Sequence, residues 1–157
     1  MNLLRMGLIV LVLFGAWPVL AQEMPADTMQ ALKDKVKADK KLVVSANMDL
    51  TEAEGKGFWP VYESYQKDLE GINQRLAKMI MSYADAYRNN TLTDAQAKTL
   101  LDESISIESS GAELKKTYLP KLSKVLPYKK VARYYQIENK IRAIVMYDLA
   151  GKIPLAK

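Results

Sequence analysis

The sequence predicts an all-α protein, a thin bundle or hairpin of about four helices built around one long helix. Three observations predict it. Apolar residues recur at steps of three and four through most of the chain after Ala21, no stretch shows the period of two that a half-buried strand requires, and a Thr followed three residues later by Glu or Gln occurs twice where a helix could begin.

Before the first helix comes "MNLLRMGLIVLVLFGAWPVLAQE", which has the form of an export signal: one charge at Arg5, an apolar run from Met6 to Ala21, Pro18 near its end and a small residue at the cut site. The run is shorter than the ~20 residues that usually span a bilayer. Cleavage after Ala21, with no stable membrane insertion afterwards, is therefore the expectation, and an uncleaved anchor is the alternative. This divides the chain into a signal peptide at 1–21 and a single helical domain at 22–157 in an extracytoplasmic compartment.

The first helix is expected within "DTMQALKDKVKADKKLVVSANM", where Met29, Leu32, Val36 and Val43 form a narrow stripe between lysines. The second begins at Thr51 and runs to about Tyr87. Phe58, Tyr62, Tyr65, Leu69, Ile72, Leu76, Met79 and Tyr83 alternate steps of four and three along it, a sustained heptad-like seam. Pro60 lacks a backbone N–H and is expected to kink this helix or to mark a second start, and Gly55 and Gly57 weaken the same turn.

"RNNTL" supplies a polar turn, after which Thr93 starts a third helix through Ala97, Leu100, Leu101, Ile107 and Leu114. Pro120 and Pro127 bracket "KLSKVL" and are expected to punctuate the passage to the fourth helix, with Pro127 at its first position. Val131, Tyr134, Ile137, Ile141, Ile144 and Val145 give that helix its apolar arc, and Gly151 with Pro154 ends it. So thin a bundle leaves the long seam short of cover. Leu69, Ile72, Leu76, Met79 and Tyr83 are accordingly the candidate seam of a homodimer.

Composition narrows the chemistry. The chain has no Cys and no His, so neither a Ser–His nor a Cys–His nucleophile pair is available, and the usual zinc, copper and haem ligand sets lack their main donors. Glu63, Asp68, Glu70, Asp102, Glu103, Glu108 and Glu138 could in principle pair for acid-base work, but each reads as part of an exposed helix face beside Lys or Arg. Met79 and Met81 flank Ile80, and residues two apart do not share a helix face, so this run reads as packing rather than a soft-metal site. No enzyme, no metal and no cofactor is expected. The formal charge of +5 is spread along the chain, which gives no reason to expect nucleic acid as a partner.

The two pentapeptides "LTEAE" and "LTDAQ" place Leu50, Thr51 and Glu54, then Leu92, Thr93 and Gln96, at the spacing of a capping box, in which the Thr hydroxyl and the third side chain each satisfy a free backbone N–H. Two such motifs in an all-helical exported chain resemble the Spy/CpxP-like periplasmic proteins, which are defined by paired LTxxQ motifs. "LTDAQ" matches fully, while "LTEAE" has Glu in place of the final Gln. The similarity runs from Leu50 to about Ile144 in layout.

The resemblance implies an ATP-independent envelope chaperone or stress-response binding protein, a cradle-like homodimer that holds unfolded or partly folded clients. A regulatory module docking on a membrane sensor's periplasmic domain and a purely structural helical protein are the alternatives. Metal binding, which the zinc-resistance branch performs through His-rich sites, is not carried over to a chain without His. Two groups could touch a client: the aromatics Phe58, Trp59, Tyr62 and Tyr65, and a basic stripe of Lys129, Arg133 and Lys140 at spacings of four and seven. Core packing is the competing reading of the aromatics, and a solvated face that of the stripe.

Overall fold

The computed structural model describes residues 38–156, and Lys40–Lys157 forms one compact unit. It is all-helical, with four helices and no strand among the described residues: α1, described over 38–48, α2 (Glu52–Arg88), α3 (Asp94–Ser123) and α4 (Tyr128–Lys152). The predicted signal peptide and the stripe positions Met29, Leu32 and Val36 lie outside the described residues. No described helix is long and apolar enough to cross a membrane.

Both capping boxes form. Thr51 Oγ1 accepts from the Glu54 amide at 3.3 Å while Glu54 Oε2 accepts from the Thr51 amide at 2.8 Å. In the second box the matching contacts are 3.2 Å from the Gln96 amide to Thr93 Oγ1 and 3.0 Å from the Thr93 amide to Gln96 Oε1. Each box satisfies two of the N–H groups that a helix start leaves unpaired. Acidic residues in the first turns, Glu52 and Glu54 in α2 and Asp94 in α3, also suit the positive end of the helix dipole.

Neither internal proline ends a helix. α2 continues through Pro60, so no second start occurs there, and α3 continues through Pro120 to Ser123 rather than stopping before it. Both prolines are exposed, and so are Lys56 and Lys116, the residues four positions earlier whose carbonyls lose a helical donor. Water can satisfy those carbonyls, which removes the main penalty of an internal proline. Pro127 is the N-cap of α4 rather than its first helical residue.

Cross-helix contacts fix the topology. Tyr65 meets Tyr118 and Arg75 meets Glu103, so α3 returns antiparallel to α2. Glu54 with Lys130, Gln66 with Glu138 and Tyr83 with Pro154 set α4 parallel to α2. Lys40 with Glu138 and Asp49 with Lys130 run α1 antiparallel to α4. The bundle thus has a base, where α2 and α4 begin and α3 ends, and a tip at the opposite ends of the same helices.

The core lies toward the base. Phe58, Tyr62 and Tyr65 of α2, Leu114, Tyr118 and Leu122 of α3, Val131 and Tyr134 of α4, and Val44 and Met48 of α1 form one buried cluster. In α1 the buried pair stands one position on from the expected stripe: Val44 and Met48 are fully buried and Val43 only partly. Gly57 has a packing role. A Cβ there would sit 2.9 Å from Val125 Cβ, so the absence of a side chain lets α2 approach the turn after α3.

Candidate functional site

Tyr134 is the hub of the aromatic cluster. Its ring centroid lies 5.2 Å from Phe58, 6.1 Å from Tyr62 and 5.7 Å from both Tyr65 and Tyr135, mostly in edge-to-face contact. Tyr65 in turn packs edge-on to Tyr118 at 5.3 Å. Burial pushes all five tyrosine hydroxyls up from the ordinary value of 10.0. Tyr118, which also donates to Asp68 Oδ2 at 2.6 Å, and Tyr135 are pushed up to about 12, and Tyr62, Tyr65 and Tyr134 rise further, helped by the nearby Glu138 carboxylate.

Phe58, Tyr62 and Tyr65 therefore cannot serve as an open client-binding surface: they are 0%, 2% and 2% exposed. Their seam positions face inward because α1, α3 and α4 all converge on this part of α2. Trp59, one position on, is half-buried and lines an open cleft of about 570 Å³ with Leu50, Thr51, Gly55 and Pro60, and Lys41 lies over its ring at 5.1 Å. Lys129, Arg133 and Lys140 are all exposed, as expected. Arg133 and Lys140 come together on a second open cleft of about 430 Å³ beside Asn47, Gln136 and Ile137, whereas Lys129 does not line it.

The candidate dimer seam is partly covered within one chain. Leu69 and Ile72 pack against the core, and Leu76, Met79 and Tyr83 are half-buried, Tyr83 donating its hydroxyl to the Pro154 carbonyl at 2.8 Å. The apolar side chains that do reach solvent are others. Leu101, Ile105 and Leu119 stand out from α3, and Ile144, Val145 and Tyr147 from α4, with Tyr147 as much as 85% exposed.

Glu138 corrects the reading of the carboxylates as a solvated set, because it is only 5% exposed. Lys40 Nζ donates to its Oε2 at 2.8 Å and to Gln66 Oε1 at 2.7 Å. Gln66 Nε2 donates to Glu138 Oε1 at 2.8 Å and to the Tyr134 hydroxyl at 3.1 Å. Both carboxylate oxygens are thus engaged, and among the described residues no buried side-chain nitrogen or oxygen lacks a partner. This network ties α1, α2 and α4 together. Its sequence signal was a polar residue in the apolar phase: Glu138 stands four residues after Tyr134 and three before Ile141, and Gln66 four after Tyr62.

Two further ties were not visible as pairs in the sequence. Arg75 grips Glu103 through Nε at 2.9 Å and Nη2 at 3.0 Å, and also donates to Ser106 and Ser110 at 2.8 and 3.0 Å, joining α2 to α3. The guanidinium hydrogen bonds hold the Glu103 carboxyl below its ordinary value. Lys130 donates to Glu54 Oε2 and to the Asp49 carbonyl, both at 2.6 Å, joining the start of α4 to the turn before α2. Glu54 is lowered by that lysine first and by the Thr51 amide second. Of the remaining carboxylates, Glu63 pairs with Lys41 and Asp102 with Lys98.

The chemistry these groups support is fastening and surface contact. The buried acid is clamped by a cation and an amide, and the tyrosines are held neutral. Comparison with family models, with curated proteins and with solved structures gives no match.

Proposed function

We propose that the protein is an exported, ATP-independent, chaperone-like binding protein that holds unfolded or partly folded envelope polypeptides, as the resemblance to Spy/CpxP-like proteins implies. The observation that carries this reading is the set of apolar side chains standing out from α3 and α4 among charged neighbours. Leu101 and Ile105 are one turn apart, and Ile144, Val145 and Tyr147 fall within a single turn. Single exposed apolar residues are ordinary on a monomer, but groups of them mark interaction surfaces.

Helix faces of this kind grip an apolar segment weakly and release it without an energy source, while Lys129, Arg133 and Lys140 draw acidic segments toward the same helical surface. The two capping boxes at helix starts lend support by fulfilling the role that the paired LTxxQ motifs would have.

The test is suppression of aggregation of several unrelated denatured proteins by the mature chain, Gln22–Lys157. The wild type should suppress it at modest excess. The double variant Leu101→Ser, Ile105→Ser and the triple variant Ile144→Ser, Val145→Ser, Tyr147→Ser should each lose several-fold in potency with helicity retained. A wild type that leaves aggregation unchanged defeats the reading.

A further inference from the structure

The end of α1, the turn that follows it and one face of α4 line the open cleft of about 430 Å³, and the two sides of this cleft carry opposite charge. The α4 side holds Arg133 and Lys140, with Gln136 between them in sequence. Neither cation has an ion-pair partner among the described residues, because the acids that meet α4 are committed elsewhere: Glu138 to Lys40 and Glu54 to Lys130. The other side is negative. Asp49 places its carboxylate there, and α1 ends beside it with the negative end of its helix dipole. Asn47 Nδ2 donates back to the Val43 carbonyl at 2.8 Å, which leaves its Oδ1 as a further acceptor. Ile137 and Ala46 are the apolar lining.

The two signs share the cleft without pairing across it. The turn that carries Asp49 is fixed from α4 itself, where Lys130 donates to the Asp49 carbonyl at 2.6 Å, and Asp49 holds a left-handed φ of 50°. We propose that this cleft binds a free α-amino acid as its zwitterion. The carboxylate lies between Arg133 and Lys140 with the Gln136 amide, the ammonium faces Asp49 and Asn47 Oδ1, and a short apolar side chain rests on Ile137 and Ala46. A simple anion would gain from Arg133 and Lys140 but be repelled by Asp49, and a simple cation would meet the reverse. Only a small ligand carrying both charges complements both sides. Openness to solvent screens these contacts, so binding is weak and exchange fast. Arg133 and Lys140 also serve the attraction of acidic segments proposed above, but the amino-acid site requires Asp49 and that attraction does not.

The experiment is titration of the mature chain, Gln22–Lys157, at neutral pH, followed by amide correlation spectra. The probes are glycine and L-leucine, then N-acetyl-L-leucine, which lacks the ammonium, L-leucinamide, which lacks the carboxylate, and inorganic phosphate. Glycine or L-leucine should move the amides of residues 46–49 and 133–140 saturably, with a dissociation constant of about 1 mM or below. The two blocked derivatives and phosphate should each bind about tenfold more weakly or worse. Asp49→Asn keeps a residue that tolerates the left-handed turn, and Lys140→Gln removes an ammonium with no ion pair among the described residues. Each should weaken zwitterion binding about fivefold or more while the melting temperature stays unchanged. No saturable shift with either zwitterion overturns the proposal. Phosphate or N-acetyl-L-leucine binding as tightly as L-leucine overturns it in favour of a plain anion patch, and L-leucinamide doing so overturns it in favour of a cation site. None of these readouts depends on suppression of aggregation, so this inference and the client-holding reading fail independently.

Discussion

The base and the tip of the bundle are made from the same helices but held by different physics. At the base, four helices converge on a cluster in which Phe58, Tyr62, Tyr65, Tyr118 and Tyr134 are all at or below 2% exposure. Toward the tip, α2 beyond Tyr65 has no fully buried residue: Leu69 and Ile72 pack only partly buried against the edge of the core. Ile107 is the last buried side chain of α3 on this side, and polar ties are added by the Arg75 grip on Glu103 and the Tyr83 bond to Pro154. Helical periodicity is continuous across both regions. What differs is how many neighbours meet it, and a seam of constant pattern therefore yields a core at one end and a half-covered face at the other.

The largest expected break in this contrast comes from alkali. Unfolded tyrosines lose their protons from about pH 10 upward, whereas Tyr118 and Tyr135 hold theirs to about 12 and Tyr62, Tyr65 and Tyr134 beyond that. Above pH 10 the folded state thus binds more protons than the unfolded state, and stability falls as pH rises, by up to ~1.4 kcal/mol per pH unit for each such tyrosine. Cooperative loss of ellipticity, together with appearance of tyrosinate absorbance, should begin between pH 10 and 12. More than four of the nine tyrosines forming tyrosinate while helicity persists would show that these five hydroxyls are not shielded as described.

Truncating the hub is the next largest effect. Tyr134→Ala removes a fully buried ring with four aromatic neighbours and should lower stability by about 3–5 kcal/mol in urea titration. Tyr83→Phe, which deletes one hydrogen bond toward the tip, should cost about 1 kcal/mol or less. Comparable losses at the two sites would erase the distinction between the ends.

Two glycines of one helix sharpen it further, because the same substitution should have opposite signs. Gly57→Ala forces a methyl against Val125 at the base and should destabilise by about 1–3 kcal/mol. Gly71→Ala meets nothing within 4 Å and should stabilise by up to ~1 kcal/mol through helix propensity alone. Thermal melts of the pair suffice. The caps give the smallest contrast: Thr51→Ala and Thr93→Ala should each cost about 0.5–2 kcal/mol, with Ser largely restoring either, and Thr51 should be the more sensitive because its box also carries the Lys130 tie. Unchanged melts in both Ala variants would contradict the capping role.

What the sequence revealed followed from range. Thr51, Thr93 and their partners three residues away form local motifs, and both boxes form where they were expected. The α2 register is equally local, and Phe58, Tyr62 and Tyr65 are buried as a seam demands, although that same burial removes them from the candidate client surface. Glu138 was misread because its helix neighbours are charged, while the lysine that holds it lies 98 residues away. Pro60 and Pro120 were taken as punctuation because propensity ignores which side of a helix faces water. Leu101 and Ile105 look like core material in a linear reading, and their exposure depends on where α4 runs.

The Glu that departs from the repeated pentapeptide has a kinetic consequence. Glu54 completes the cap of α2 and also receives Lys130, 76 residues later. Gln at this position would keep the cap and lose the charge. The first turn of α2 can form early and alone, but its carboxylate gains its second ligand only when a loop spanning α2 and α3 has closed, a slow and entropically costly event. The tie is therefore a late-forming bond that leaves the rate of folding largely untouched and slows the rate of escape from the native state. One carboxylate thus works on two clocks, nucleating a helix within its own turn and retarding the unfolding of the whole base.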